Sequence, residues 1–150
     1  MEDAVTLSGF LRLGALLVPL SLAGCINDGA TYQLDQTGKH NLSLVREQTF
    51  LWDSKVKFYL VVARMPNCMR RHLIGEFSPN TKVEVFRVPS GAFVVRAGKQ
   101  MFATETETCE GFAPIREEPD DGIGDLIGTF SEKEGTPVFE PAPAPKAAGA

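Results

Sequence analysis

Lys55-Val56-Lys57-Phe58-Tyr59-Leu60-Val61-Val62-Ala63-Arg64-Met65 is the stretch from which the fold is read. Side chains two apart share a face of an extended chain. Val56, Phe58, Leu60 and Val62 therefore line one face, and Tyr59, Val61 and Ala63 the other. β-Branched and aromatic residues dominate, as strands prefer. A strand apolar on both faces needs cover on both, so this one is expected at the centre of a sheet.

Outward from it the pattern repeats. Residues 41–52 read as one long strand or a strand with a bulge. Residues 82–88, 92–96 and 100–108 read as three more, separated by Pro89-Ser90-Gly91 and Ala97-Gly98-Lys99. Proline presets φ in such turns and glycine accepts a positive one. Short strands joined by tight turns predict an antiparallel meander. The expectation is an all-β domain over residues 41–113, a small sandwich or open barrel. Residues 65–80 interrupt the strands, from Pro66-Asn67-Cys68 to Ser78-Pro79-Asn80, with a short helical turn over 69–73. Beyond Phe112-Ala113-Pro114 the chain turns acidic (Glu117-Glu118-Pro119-Asp120-Asp121-Gly122) and then Pro/Ala-rich (Pro141-Ala142-Pro143-Ala144-Pro145). That composition predicts a disordered tail over 114–150. Leu126-Ile127-Gly128 with Phe130 is an apolar island in it, and its likeness to Leu73-Ile74-Gly75 with Phe77 is put down to chance.

The amino terminus has a different texture. Leu13-Gly14-Ala15-Leu16-Leu17-Val18-Pro19-Leu20-Ser21-Leu22-Ala23 is uncharged and apolar. It is shorter than the roughly 20 residues of a spanning helix, and it has the length of a secretory signal core. It ends in Leu22-Ala23-Gly24-Cys25, which resembles the lipobox of bacterial lipoproteins. The resemblance implies that residues 1–24 are a signal peptide cut between Gly24 and Cys25. It also implies that Cys25 carries a diacylglycerol thioether, with further acylation of the new amino group. Two or more acyl chains hold a protein stably on a membrane. Ile26, where an Asp would favour the inner membrane, points to the periplasmic face of the outer membrane. Residues 25–40 are then a lipidated tether, with a short strand over Thr31-Tyr32-Gln33-Leu34.

With Cys25 lipidated, Cys68 and Cys109 remain. In an exported domain such a pair reads as one disulfide. Charge is uneven: residues 30–115 hold eleven Lys or Arg against eight Asp or Glu, and residues 116–150 three against eight. The net charge of −4 bears on solubility. No strongly basic stripe marks a nucleic-acid surface, so none is expected as partner.

Four features bear on chemistry. Cys68 and His72 lack the further ligands of a zinc site and the spacing of haem attachment. Arg64, Arg70, Arg71 and His72 form a basic cluster beside Cys68; planar guanidinium forks suit carboxylate or phosphate. An anion-binding patch competes here with a solvated connection. Glu105 and Glu107 share a strand face but lack a cleft for paired-carboxylate hydrolysis, and read as the polar face of an edge strand. Asp120, Asp121 and Asp125 do not meet the EF-hand spacing. No metal, cofactor or catalytic residue is expected. The expected role is a membrane-anchored, non-catalytic interaction or structural module contacting another envelope protein. The alternative is a binding module for a small anionic ligand or lipid head group through Arg64, Arg70 and Arg71.

Overall fold

The computed structural model describes residues 25–120 and 122–143. Leu22, Ala23 and Gly24 of the expected cleavage site, Asp121 and the last residues of the Pro/Ala-rich segment lie outside the described residues. Two antiparallel sheets make up the fold. β1 (Asn27–Gln33), β2 (His40–Glu47), β3 (Val56–Arg64) and β4 (Cys68–Phe77) form the first, in chain order. β5 (Val83–Arg87), β6 (Phe93–Ala97), β7 (Gln100–Thr104), β8 (Phe112–Ile115), β9 (Asp125–Lys133) and β10 (Thr136–Pro141) form the second, ordered β10-β9-β5-β6-β7-β8. The sheets do not close into a barrel. They pack as a sandwich around the main core.

β3 lies between β2 and β4, as its two apolar faces demand. Val56, Phe58, Leu60 and Val62 are buried and meet Leu42 and Leu44 of β2 and Val83, Val85, Phe93, Val95 and Phe130 of the second sheet. On its outer face Tyr59 lies under the Arg71 guanidinium, 3.6 Å from ring centroid to Cζ. The second sheet has a smaller core behind it: Phe86, Val94 and Met101 pack with Ile123. Ile123 belongs to the connection that carries the chain from β8 at one side of the sheet to β9 beside β5. That crossing covers the outer face.

Several sequence boundaries are corrected. Residues 25–40 are not a tether: β1 pairs with β2 from Asn27↔Glu47 to Gln33↔Asn41. Its sequence is polar because it is an edge strand with one exposed face, and Gly29 admits the close passage of Leu44, whose carbonyl oxygen a Cβ would meet at 2.7 Å. The 65–80 interruption is largely strand β4. Its edge position leaves Arg70 and Arg71 in solvent, and a bulge after Phe58↔Gly75 breaks the alternation. The strand predicted over 41–52 stops at Glu47, and Phe50, Leu51 and Trp52 occupy the β2–β3 loop. The strand predicted over 100–108 stops at Thr104.

The tail expectation fails over residues 114–141, where the chain completes β8 and forms β9 and β10. Leu126-Ile127-Gly128 with Phe130 lies within β9, where Phe130 joins the main core. Three of the prolines in this region sit on edge strands: Pro114 in β8, Pro137 and Pro141 in β10. An edge strand has one ladder face free, so a missing N–H is tolerated there.

Candidate functional site

The two ends of the first sheet differ in chemistry. One end begins at Cys25, which is exposed and is a free cysteine. Ile26 follows and is locked to Gln48: its N–H donates to Gln48 Oε1 at 3.1 Å, and its carbonyl accepts from the Gln48 N–H at 2.8 Å. Gln48 Nε2 in turn donates to the Asp53 carbonyl at 2.8 Å. A single side chain thus ties the residue after Cys25 to the β2–β3 loop.

The opposite end carries a cleft of about 700 Å³ between the sheets, lined in part by Leu34, His40, Arg64, Arg87, Phe93, Glu105 and Thr106. β2 is eight residues long, so at about 3.3 Å per residue the two ends stand about 25 Å apart. Arg64 ends β3 and Arg87 ends β5, so two strand termini from different sheets bring two guanidinium groups to one opening. Among the described residues neither has an ion-pair partner. His40 starts β2, and its Nε2 lies 2.8 Å from Thr106 Oγ1. Burial and then the nearby Arg64 hold the His40 pKa below its ordinary value, against a weaker opposing pull from Asp35. The imidazole is therefore biased to its neutral form, and the positive charge of the cleft rests with the arginines.

Glu105 and Glu107 line the same cleft, but Glu105 is engaged in structure. Its carboxylate accepts from the Thr108 hydroxyl at 2.6 Å and from the N–H groups of Glu107, Thr108 and Gly111. These donors, the Thr108 hydroxyl first, hold its pKa down to about 2. Glu105 is thus the cap of the β7–β8 loop and not one of a catalytic pair, nor part of an edge-strand face.

That loop carries Cys109, which is joined to Cys68 with a Cα–Cα distance of 5.9 Å. The bond links the start of β4 in one sheet to the β7–β8 loop in the other.

The basic cluster expected around Cys68 is divided. Arg70 pairs with Glu110 at 3.2 Å, both well exposed. Arg71 lies on the outer face of the first sheet and pairs with Glu47 at 2.6 Å. His72 turns inward: its ring stacks on Phe112 with centroids 4.6 Å apart, and its Nε2–H donates to the Cys109 carbonyl at 2.9 Å. Alternation along β4 puts Arg71 on the opposite face from Arg70 and His72, and the latter two are spent on Glu110 and Cys109 of the β7–β8 loop, so the four side chains do not form one anion site. Arg64 instead joins Arg87 and His40. Sequence reasoning missed Arg87, although it shares a signal with Arg64: each is the last residue of an apolar strand, shortly before a proline.

Arg46 was also missed. It is 2 % exposed in the interior and spends all five N–H donors on Asp28, Glu132 and two carbonyls. Its place after Leu42 and Leu44 on the buried face of β2 was the available signal. Among the described residues no group of three or more His, Cys, Asp or Glu could hold a metal ion, and no helix is long and apolar enough to cross a membrane. No family model, curated protein or solved structure matches this chain.

Proposed function

We propose that this chain is a lipid-anchored module of the bacterial cell envelope that works by binding rather than catalysis. The observation that carries this reading is the position of Cys25. It closes the lipobox-like Leu22-Ala23-Gly24-Cys25 and stands exposed and unpaired one residue before Ile26, where pairing with Gln48 begins. A thiol so placed can take acyl chains without disturbing the sandwich. The Cys68–Cys109 bond supports an oxidising compartment, since structural disulfides are uncommon in the cytosol. Outer membrane, periplasmic face, is the favoured location, from Ile26 after the cysteine. Another envelope protein is the favoured partner, held at the end of the domain away from the membrane.

Mass spectrometry of the membrane fraction tests the anchor. The expected species starts at Cys25 and carries acyl mass there, and Cys25→Ser leaves the protein without lipid. Recovery of an intact Met1 form, unmodified and dissolved in the cytosol, overturns the reading.

A second reading is favoured by the unpaired Arg64 and Arg87 at the cleft: a site for an anionic group, such as the carboxylates of an acidic peptide. It replaces the Arg64, Arg70 and Arg71 grouping expected from sequence. Titration calorimetry with an oligoglutamate peptide tests it. Binding that disappears in R64A/R87A supports the site, and equal binding by the double variant removes it.

A further inference from the structure

The β2–β3 loop places three large apolar side chains in solvent in succession: Phe50 at 51 %, Leu51 at 50 % and Trp52 at 81 % exposure. A turn of this kind has no need of them. Its shape is set by polar contacts instead. Asp53 N–H donates to the Phe50 carbonyl, the Asp53 carboxylate accepts from the Phe50 N–H, and Gln48 Nε2 holds the Asp53 carbonyl, each at 2.8–3.0 Å. Phe50 and Trp52 lie parallel, with centroids 5.2 Å apart and planes within 4°. The loop is thus a held apolar tip, and exposed contiguous apolar surface of this sort marks a contact site.

Its location identifies the contact. Cys25 is one residue before Ile26, and Phe50 is two residues beyond Gln48, the partner of Ile26 in hydrogen bonding. At about 3.3 Å per residue both lie within a few residues' reach of one sheet end. We propose that the Phe50-Leu51-Trp52 loop is a membrane-contact surface that enters the interfacial layer of the leaflet holding the lipid on Cys25. This rests on the anchor proposed above. Tryptophan is enriched at the bilayer–water boundary because its ring is apolar and its N–H polar. Lys55 and Lys57 lie beside the tip and can meet anionic head groups, while Glu76 faces the same hollow and Asp53 is engaged in shaping the turn. Two attachments at one end, acyl chains and loop, stand the first sheet upright. The arginine cleft then faces away from the bilayer.

Trp52 is the single tryptophan of the chain and reports on its own surroundings. The protein is isolated from membranes, its mass at Cys25 is determined, and it is reconstituted in vesicles of phosphatidylethanolamine and phosphatidylglycerol. The expected result is a blue-shifted emission that acyl chains brominated near the head group quench. F50S/L51S, which keeps the probe and changes only exposed side chains, loses most of that quenching. Acylated protein whose Trp52 remains water-exposed and unquenched overturns the membrane assignment and leaves the anchor standing. Photocrosslinking of position 52 to an envelope protein in the same membranes also overturns it, and gives the loop to a protein partner. Unmodified Cys25 overturns the anchor instead. The loop is then judged by the same quenching after a maleimide lipid is coupled to that thiol: quenching supports it and its lack rejects it.

Discussion

Arg46 of β2 donates a hydrogen bond of 2.5 Å to Glu132 of β9, joining the two sheets through the interior. The same guanidinium meets Asp28 of β1 through two bonds of 2.8 Å and the carbonyls of Pro79 and Gly135 at 2.7 and 3.2 Å. Five donors find five acceptors. A guanidinium can be buried only when its hydrogen bonds and charge are met in this way.

Arg46→Ala strands two carboxylates and two carbonyls. Losing one partner of a buried charge pair costs about 3–5 kcal/mol, and the partial exposure of Asp28 and Glu132 puts this case near the lower end. Arg46→Lys restores the charge without the planar fork and recovers only part of the loss. Urea unfolding of the three proteins measures both differences. An Arg46→Ala midpoint equal to wild type would contradict the role assigned to this network.

The Cys68–Cys109 bond closes a loop with a sequence separation of 41. On the chain-entropy account a loop of that size contributes roughly 4 kcal/mol, by limiting the unfolded chain. C68S/C109S is expected to unfold at lower denaturant than the oxidised wild type, and reductant should reproduce the shift in wild type but not in the variant.

Gly128 of β9 sits beneath Phe139 of β10. A Cβ there would lie 2.7 Å from the Phe139 Cε1 atom and 2.6 Å from the Glu140 carbonyl oxygen. Phe139 is itself stacked on Tyr32 of β1, with centroids 4.4 Å apart, and so helps close one side of the sandwich. Gly128→Ala must push the ring or the β10 backbone aside, at a cost of about 1–3 kcal/mol. Thermal unfolding should show it, and near-ultraviolet circular dichroism should report loss of the Tyr32–Phe139 stack.

Acid should weaken the β7–β8 loop. Glu105 has a folded pKa of about 2 against an ordinary 4.5. A group with a depressed folded pKa contributes stability that is complete above its unfolded value and is lost as pH falls toward the folded one. The contribution is therefore present above pH 4.5 and disappears between there and about 2. Glu105→Gln is expected to flatten the stability profile in that window. A profile unchanged by the substitution would show that the four donors do not act on this carboxylate.

Thr104 ends β7, and its buried hydroxyl has no hydrogen-bond partner among the described residues. Valine has nearly the same shape and no hydroxyl to leave unpaired. Thr104→Val should raise stability by roughly 1 kcal/mol, as an unmet buried polar group costs about 1–3. A lower melting temperature for this variant would mean that the hydroxyl is satisfied in solution.

Legibility in the sequence followed burial. β3 is evident because its inner face is wholly buried and its outer face, with Tyr59, Val61 and Ala63, is also apolar and no more than half exposed. β1 and β4 are edge strands, and one of their faces answers to water, so polar residues and a bulge obscure the alternation. β10 was hidden by Pro137 and Pro141, which an edge strand tolerates and a central one would not. The candidate site was half legible. Arg64 could be named from its neighbours in sequence, whereas Arg87 and His40 reach the same cleft from other strands.

By itself the sequence determined the all-β class, the central strand, the tight turns of the meander and the two cysteines, Cys68 and Cys109, that pair with each other. Only the tertiary structure decided that Arg46 meets Asp28 and Glu132, that Arg64 shares an opening with Arg87, and that Cys25 and the Phe50-Leu51-Trp52 loop lie at the same end of the first sheet. The physical reason is range. Alternation and turn chemistry act over a few residues and are written locally. Sheet order and contacts between sheets follow from which apolar faces bury each other across the core, and that is settled by the whole chain at once.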